Sequence, residues 1–475
     1  MILHAVLPGG IDDPAAPSGG NRYDREVLNR LAKGPFTVRE TAVPGTWPRP
    51  EPAARQAVAE ALSTVPDGET VLLDGLVACA IPDVLEPHAT RLRLAILVHL
   101  PLSDETGLST PEAAELQALE KRSLHLAATV IATSTEAARR LEQMHGLSPR
   151  NRTARAGVPQ PATSHPGAGQ PSTRRPGTVP TGTAQASTPQ ASTPQTSTTP
   201  ASTAQTSSGQ AIARQTGEPA PANESFAVHV APPGVDPAPL TEPSPSGARL
   251  LTVASLTHRK GQDVLIAALK QLPDLEWTCT LVGTGPAVPE LIPNVHLAGP
   301  LTGTALDAAY ADADLFVLPS RAETYGMVVT EALARGLPVI ATAVGGVPEA
   351  LGTVAPAALT LGTPTDAAHH HGLDHLQAGP LHPDPTQPDR FEPDNLLPDR
   401  HERDHLLLDR FEPDSLLPGR LVPPDDADAL SAALREWLTD PALRARWRAT
   451  ALTRRADLTG WEDTAARLTQ ILRTH

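Results

Sequence analysis

The stretch Asp314 to Ala343, DLFVLPSRAETYGMVVTEALARGLPVIATA, constrains the architecture of this chain more than any other. Its start, DLFVLPS (Asp314 to Ser320), reads as a strand, and its end, PVIATA (Pro338 to Ala343), as a second one, with a loop and a helix between them. Strand, loop, helix and strand make one crossover of a parallel α/β sheet. In such sheets ligands sit beyond the carboxyl ends of the strands, where a helix N-terminus favours phosphate. Glu323 falls in that loop, and Glu331 follows eight residues later, roughly 12 Å along a helix by rise alone. Two carboxylates at that separation can hold two hydroxyl-bearing parts of one ligand.

The rest of the chain alternates in the same way. In the first half the candidate strands are Ile2 to Leu7, Thr37 to Ala42, Thr70 to Leu73, Leu94 to His99 and Thr129 to Thr133. The candidate helices are Arg22 to Lys33, Pro52 to Thr64, Thr110 to Leu126 and Thr135 to His145. One more strand is expected in FAVHVAPPGVD (Phe226 to Asp236), beyond a low-complexity tract. A second sheet follows Pro237 to Gly247, with strands at Leu250 to Ala254, Trp277 to Val282, Val295 to Ala298, Leu315 to Pro319 and Val339 to Thr342. Amphipathic helices then cover Ala427 to Leu438, Pro441 to Arg455 and about Trp461 to Leu472.

Two segments cannot build core. Between about 151 and 225 the chain repeats units such as ASTPQ, whose small polar side chains bury too little to offset ordering entropy. Between about 363 and 417 a ten-residue repeat, PDRFEPDNLL from Pro388, contributes to a run with 12 acidic residues against 5 arginines over Thr363 to Arg420. Both are expected to be disordered inserts within domains, since loop closure entropy grows slowly with length. His369, His370 and His371 lie in the second insert and read as a solvated polar tract rather than a zinc site.

The run VLPSRAETYGMVVTEALARGLPVIAT resembles the E-x7-E motif of the group 1 (family 4) retaining glycosyltransferases of GT-B fold. The resemblance implies two Rossmann-like domains facing each other across a cleft. Residues 1–236 would form the acceptor domain, 248–460 the nucleotide-sugar domain, and 461–475 a helix crossing back to the first. It implies that Glu323 contacts the transferred sugar and Glu331 the ribose of the nucleotide sugar. The backbone of Tyr325, Gly326, Met327 and Val328 would face the diphosphate at a helix N-terminus.

Three further segments extend that resemblance. VASLTHRKGQDVLIAAL (Val253 to Leu269) places Arg259 and Lys260 in a strand-to-helix loop, where cations can neutralise a departing diphosphate. The family carries an arginine five residues before the lysine, and here that position is Ser255; Arg259 is the candidate replacement. VGTGP puts Gly283 in a short turn that serves either a close ligand approach or a tight bend. In the first half, PSGGNRYDREVLNRL sets Gly19 and Gly20 at a helix start, positioned to approach the nucleotide sugar's phosphates or the acceptor. His99 ends a strand at the cleft edge, and the resemblance implies a contact near the C6 hydroxyl of the sugar. Asp74 and Ser134 also end strands there and are candidates for acceptor contacts.

The expected activity is therefore metal-independent transfer of a hexose from a nucleotide diphosphate sugar to a glycan, lipid or small-molecule acceptor, with no cofactor. The alternatives are a sugar-nucleotide epimerase of the same fold and a non-catalytic nucleotide-sugar-binding protein. A net charge of −15 argues against nucleic acid as a partner. Arg139, Arg140, Arg150, Arg152 and Arg155 form one modest basic patch that suits a solvated helix end or a weak peripheral membrane contact. Met1 opens directly on a strand, so no signal peptide is expected, and no apolar run reaches the ~18 residues of a span. With Cys79 and Cys279 placed in different domains as free buried thiols, the sequence suggests a cytoplasmic protein.

Overall fold

A computed structural model describes residues 1–13, 18–105, 107–147, 228–353 and 417–474. Both expected inserts, and with them the histidine triplet, lie outside the described residues.

The first sheet contains β1 (Ile2–Pro8), β2 (Thr37–Val43), β3 (Thr70–Asp74), β4 (Arg93–Val98), β5 (Thr129–Ala132) and β6 (His229–Val230). They pair in the order β2-β1-β3-β4-β5-β6, every pair parallel. Helices α1 (Gly19–Lys33), α2 (Pro52–Ser63), α3 (Gly75–Ala78), α4 (Pro82–Leu85), α5 (Thr110–Leu126) and α6 (Thr135–His145) make the connections. The alternation of β4 shows why this sheet is buried on both sides. Leu94, Ile96 and Val98 join one hydrophobic cluster, whereas Ala95 and Leu97 join the cluster on the other face.

The second sheet runs β12-β11-β10-β7-β8-β9, again all parallel. Its strands are β7 (Arg249–Val253), β8 (Thr278–Val282), β9 (Val295–Gly299), β10 (Leu315–Leu318), β11 (Val339–Thr342) and β12 (Gly419–Val422). The helices are α7 (Gln262–Leu269), α8 (Gly303–Ala311), α9 (Met327–Ala334), α10 (Val347–Leu351), α11 (Ala427–Thr439) and α12 (Pro441–Ala456). The strand order reverses between β7 and β10. In parallel α/β sheets ligands bind at such a topological switch, beyond the carboxyl ends of the two strands.

The last helix, α13 (Trp461–Thr474), packs on the first sheet's side of the molecule. Trp461, Leu468, Ile471 and Leu472 share a cluster with Tyr23, Val27, Leu28 and Leu31 of α1.

Two strands differ from the sequence reading. Only His229 and Val230 of the proposed last strand of the first sheet pair with β5, because the following Pro232 and Pro233 cannot donate to a ladder. Strand β12 was not expected. It pairs in parallel with β11, and its first residue, Gly419, has φ +150° with an added Cβ lying 1.7 Å from the Val339 carbonyl oxygen, so only glycine fits.

Candidate active site

The loops that follow β7 and β10 meet at the switch point. After β7 a single 3₁₀ turn, His258–Lys260, leads to Gly261, whose φ is +67° and whose added Cβ would lie 2.0 Å from the Pro319 oxygen. The Arg321 amide donates to the Arg259 carbonyl at 2.8 Å, locking the two loops together.

This contact brings Lys260 and Glu323 side by side. The Lys260 ammonium bonds Glu323 Oε1, which also accepts from the Ser320 hydroxyl at 2.8 Å. Arg259 Nη1 stands 3.8 Å from Glu323 Oε2 and donates to the Ala322 carbonyl at 2.9 Å. Burial works against the Glu323 charge, but Lys260 and Arg259 outweigh it and hold the carboxyl below its usual range. Burial in turn pulls the Lys260 ammonium below its ordinary value despite Glu323. Both candidate cations are therefore gathered on Glu323. Ser255 is exposed, and its carbonyl accepts from Gln262 at 2.9 Å.

Glu323 and Glu331 sit on either side of the α9 N-terminus. Gly326, at φ +89°, caps α9, so the helix starts at Met327. Its Val329 amide donates to the Gly326 carbonyl at 2.9 Å, and by position the Met327 and Val328 amides precede the helix's own acceptors. Tyr325 contributes a buried ring beneath this turn. Glu331 is itself buried: Tyr310 donates to Oε2 at 3.0 Å, and Arg22 of α1 bonds Oε1. The Arg335 guanidinium lies over the Tyr310 ring, 4.3 Å from its centroid.

Gly283 serves a steric purpose. It has φ +146°, and an added Cβ would lie 1.9 Å from the Ala254 oxygen, so this turn packs against the loop after β7.

On the first sheet, Ser18 caps α1, and Gly19 and Gly20 form its opening turn. The Gly19 position faces the Met327 sulfur at 3.6 Å, which sets the starts of α1 and α9 opposite each other. Strand β4 ends at Val98, so His99 is the first loop residue. Its Nε2 bonds Asp24 Oδ1 of α1 at 2.7 Å, and the ring meets Tyr23 edge-on at 5.1 Å. The Gly20 position lies 3.2 Å from the same ring. Asp74 Oδ1 accepts from the Leu76 amide at 2.6 Å.

Burial, reinforced by Asp24, lifts the Asp74 carboxyl to about 7. Burial opposes a charge on His99, but Asp24 and Asp74 outweigh it and lift the imidazole to about 9. The ligand atoms of Asp24, Asp74 and His99 lie within 4.8 Å of one another, a hydrogen-bonded acid–imidazole set under the Gly19–Gly20 turn.

The two sheets' loops are joined beside this site. Ser134 donates to the Thr324 carbonyl at 2.6 Å, and the Thr135 amide donates to Glu349 at 2.8 Å. In the basic patch, Arg139 bonds Glu136 and Arg140 bonds Asp104; the remaining arginines of that patch lie outside the described residues. Cys79 and Cys279 are free and buried, and burial pushes the Cys279 thiol up to about 12. Among the described residues, no helix is long and apolar enough to cross a membrane.

Sequence reasoning missed Arg22, Asp24, Tyr310 and Ser320. Each meets a site residue, but only Ser320 lies within three residues of its partner.

Comparison with known proteins finds a likeness over part of the chain. The family described as "Glycosyl transferases group 1" matches residues 247–369. A sulfoquinovosyl transferase of Arabidopsis thaliana is 34% identical over 116 residues, covering 23% of this chain and 22% of that protein. A D-inositol 3-phosphate glycosyltransferase of Xylanimonas cellulosilytica is 34% identical over 148 residues, covering 25% of this chain and 36% of that one. This chain thus spans about a fifth to a third of these relatives' lengths. Among solved structures, sucrose-phosphate synthase from Thermosynechococcus elongatus aligns with a TM-score of 0.57 at 17% identity, over 100% of this chain and 98% of that one. The Anabaena HepE protein, solved in complex with UDP-glucose, aligns with a TM-score of 0.51 at 13% identity, over 100% and 99%.

Proposed function

With a group 1 glycosyltransferase domain set in a GT-B fold as the premise, we propose that this chain transfers a hexose from a nucleotide diphosphate sugar to an acceptor with retention of configuration. The observation that carries this reading is the placement of Glu323 and Glu331 on either side of the α9 N-terminus, with Lys260 and Arg259 gathered beside Glu323.

In this reading Glu331 holds the ribose, and the first amides of α9 face the diphosphate. Glu323 takes hydroxyls of the sugar, while His99 approaches it from the first sheet. The acceptor hydroxyl attacks the anomeric carbon on the face from which the diphosphate departs. As the carbon–oxygen bond to diphosphate breaks, the acceptor's proton passes to the leaving phosphate oxygen. Lys260, Arg259 and the helix N-terminus carry the charge that develops there, in the place a divalent cation would otherwise take. Once substrate hydroxyls engage Glu323, its hold on Lys260 loosens and the ammonium can turn to phosphate. The acceptor is a glycan, lipid or small molecule, and the reaction belongs to the cytoplasm.

The test uses a thermal-shift screen of UDP and GDP sugars followed by two variants. Glu331→Ala should weaken nucleotide binding, whereas Glu323→Ala should cut turnover and leave nucleotide affinity nearly intact. Unchanged binding and transfer in both variants would sink the assignment. Product analysis separates the competing readings, because an epimerase returns a new nucleotide sugar while a transferase releases nucleoside diphosphate. Ser255, in place of the family arginine, favours a binding protein if nucleotide sugars raise the melting temperature and no product forms.

A further inference from the structure

Arg22 belongs to α1 on the first sheet, yet its guanidinium bonds Glu331 Oε1 on the second. Its other terminal nitrogen holds Asp236 Oδ2 at 2.9 Å. The remaining Glu331 oxygen accepts from Tyr310 at 3.0 Å, so both oxygens of this buried carboxylate are engaged. Each oxygen keeps a second lone pair, but the side chain is only 11% exposed, so a ribose that takes this carboxylate with two hydroxyls competes with these partners. Tyr310 is fully buried and its ring meets both Phe316 and the Arg335 guanidinium, whereas the Arg22 side chain is 39% exposed. Arg22 is therefore the partner that can leave.

Charge decides where it goes. Ribose hydroxyls are neutral, so taking Glu331 from Arg22 strips a guanidinium of one of its two anions. A ligand that brings its own anion can make good that loss. Arg22 lies within the first turn after Gly20, and the Gly19 position faces Met327 at 3.6 Å. Its guanidinium is thus tethered by Asp236 beside two opposed helix N-termini, where an anion is favoured.

We propose that Arg22 is a latch displaced by the nucleotide: it occupies Glu331 in the free protein, yields that carboxylate to ribose, and turns to the diphosphate. The proposal rests on the glycosyltransferase reading above. It makes Arg22 a residue that selects nucleoside diphosphates over nucleosides.

The experiment compares isothermal titration of uridine, UDP, guanosine and GDP with the full chain, as wild type, Arg22→Gln and Arg22→Lys. Removing the latch should tighten nucleoside binding and weaken diphosphate binding. The ratio of the two affinities should fall about tenfold in Arg22→Gln, the worth of one charge-assisted hydrogen bond. Arg22→Lys, which keeps the charge, should retain most of the ratio and controls for folding through its melting temperature. An unchanged ratio in Arg22→Gln, or a parallel loss for nucleoside and diphosphate, overturns the latch. Failure of every diphosphate to bind wild type overturns the glycosyltransferase reading itself, and the latch falls with it.

Discussion

The charge on His99 should be readable as stability lost on the alkaline side. Its side chain is 18% exposed and bonds Asp24 at 2.7 Å, and the two aspartates lift it from 6.5 to about 9. That lift corresponds to roughly 3 kcal/mol favouring the imidazolium in the folded state. Because the folded value is the higher one, the stabilisation is complete below about pH 6.5 and is lost as pH rises through about 9. Asp74 has the same sign in a lower window: burial raises it from 3.8 to about 7, so its contribution is lost as pH climbs through that value. A decline between pH 7 and 9 therefore belongs to His99. At about 2–4 °C per kcal/mol, it should lower the melting temperature by roughly 5–10 °C between pH 6.5 and 9.5. Scanning fluorimetry in constant salt would measure it. Asp24→Asn keeps the shape of the partner but removes its charge, and should abolish most of the decline; Asp74→Asn should keep most of it. A decline of equal size in wild type and Asp24→Asn would refute the reasoning, because the loss would then come from groups elsewhere.

Two further outcomes follow from the site. Lys260→Met leaves the Glu323 carboxylate, 8% exposed, without its nearest cation, and should cost about 3 kcal/mol in urea unfolding. Adding Glu323→Gln should restore much of that, and a double variant no more stable than the single one would count against a coupled pair. Gly346→Ala would place a Cβ 2.4 Å from the Thr324 oxygen and 2.9 Å from Ser134 Oγ. It should break the Ser134–Thr324 bond and lower stability by roughly 1–3 kcal/mol, whereas a neutral melting temperature would show that this joint gives way freely.

The two glutamates were legible in the sequence because everything that places them is local. A strand, a loop and the first turns of a helix fix both, and the periodicity of one continuous segment reports all three. Their partners are a different matter. Arg22 lies 309 residues from Glu331, and Lys260 lies 63 from Glu323, so chain folding rather than spacing creates these pairs. Strand β12 was hidden for a related reason. Gly-Arg-Leu-Val between prolines has no alternation to read, and parallel pairing with β11 supplies what its four residues lack. Gly283 was ambiguous because a glycine signals only an unusual backbone; the nearby Ala254 carbonyl adds a packing demand that spacing alone does not announce.

Asp24 is the exception, since its signal was present in the sequence and went unread. In α1 it shares one helical face with Val27, Leu28 and Leu31, at spacings of three, four and seven. A carboxylate on an apolar stripe carries a desolvation cost that only a buried partner can offset. Its presence therefore implies a cation or hydrogen-bond donor on whatever the stripe packs against. The following Arg25 shows the contrast: one residue on, it turns outward to Asp12 and Glu40 on the surface, where pairing demands little. Reading the stripe for its one misplaced polar residue would have called for a partner from the sheet. Of the three positions singled out at strand ends there, His99, Asp74 and Ser134, only His99 could supply a positive charge. The acid on the helix and the histidine at the strand end thus predict each other, and this pairing sets the charge that the first sheet presents to the site.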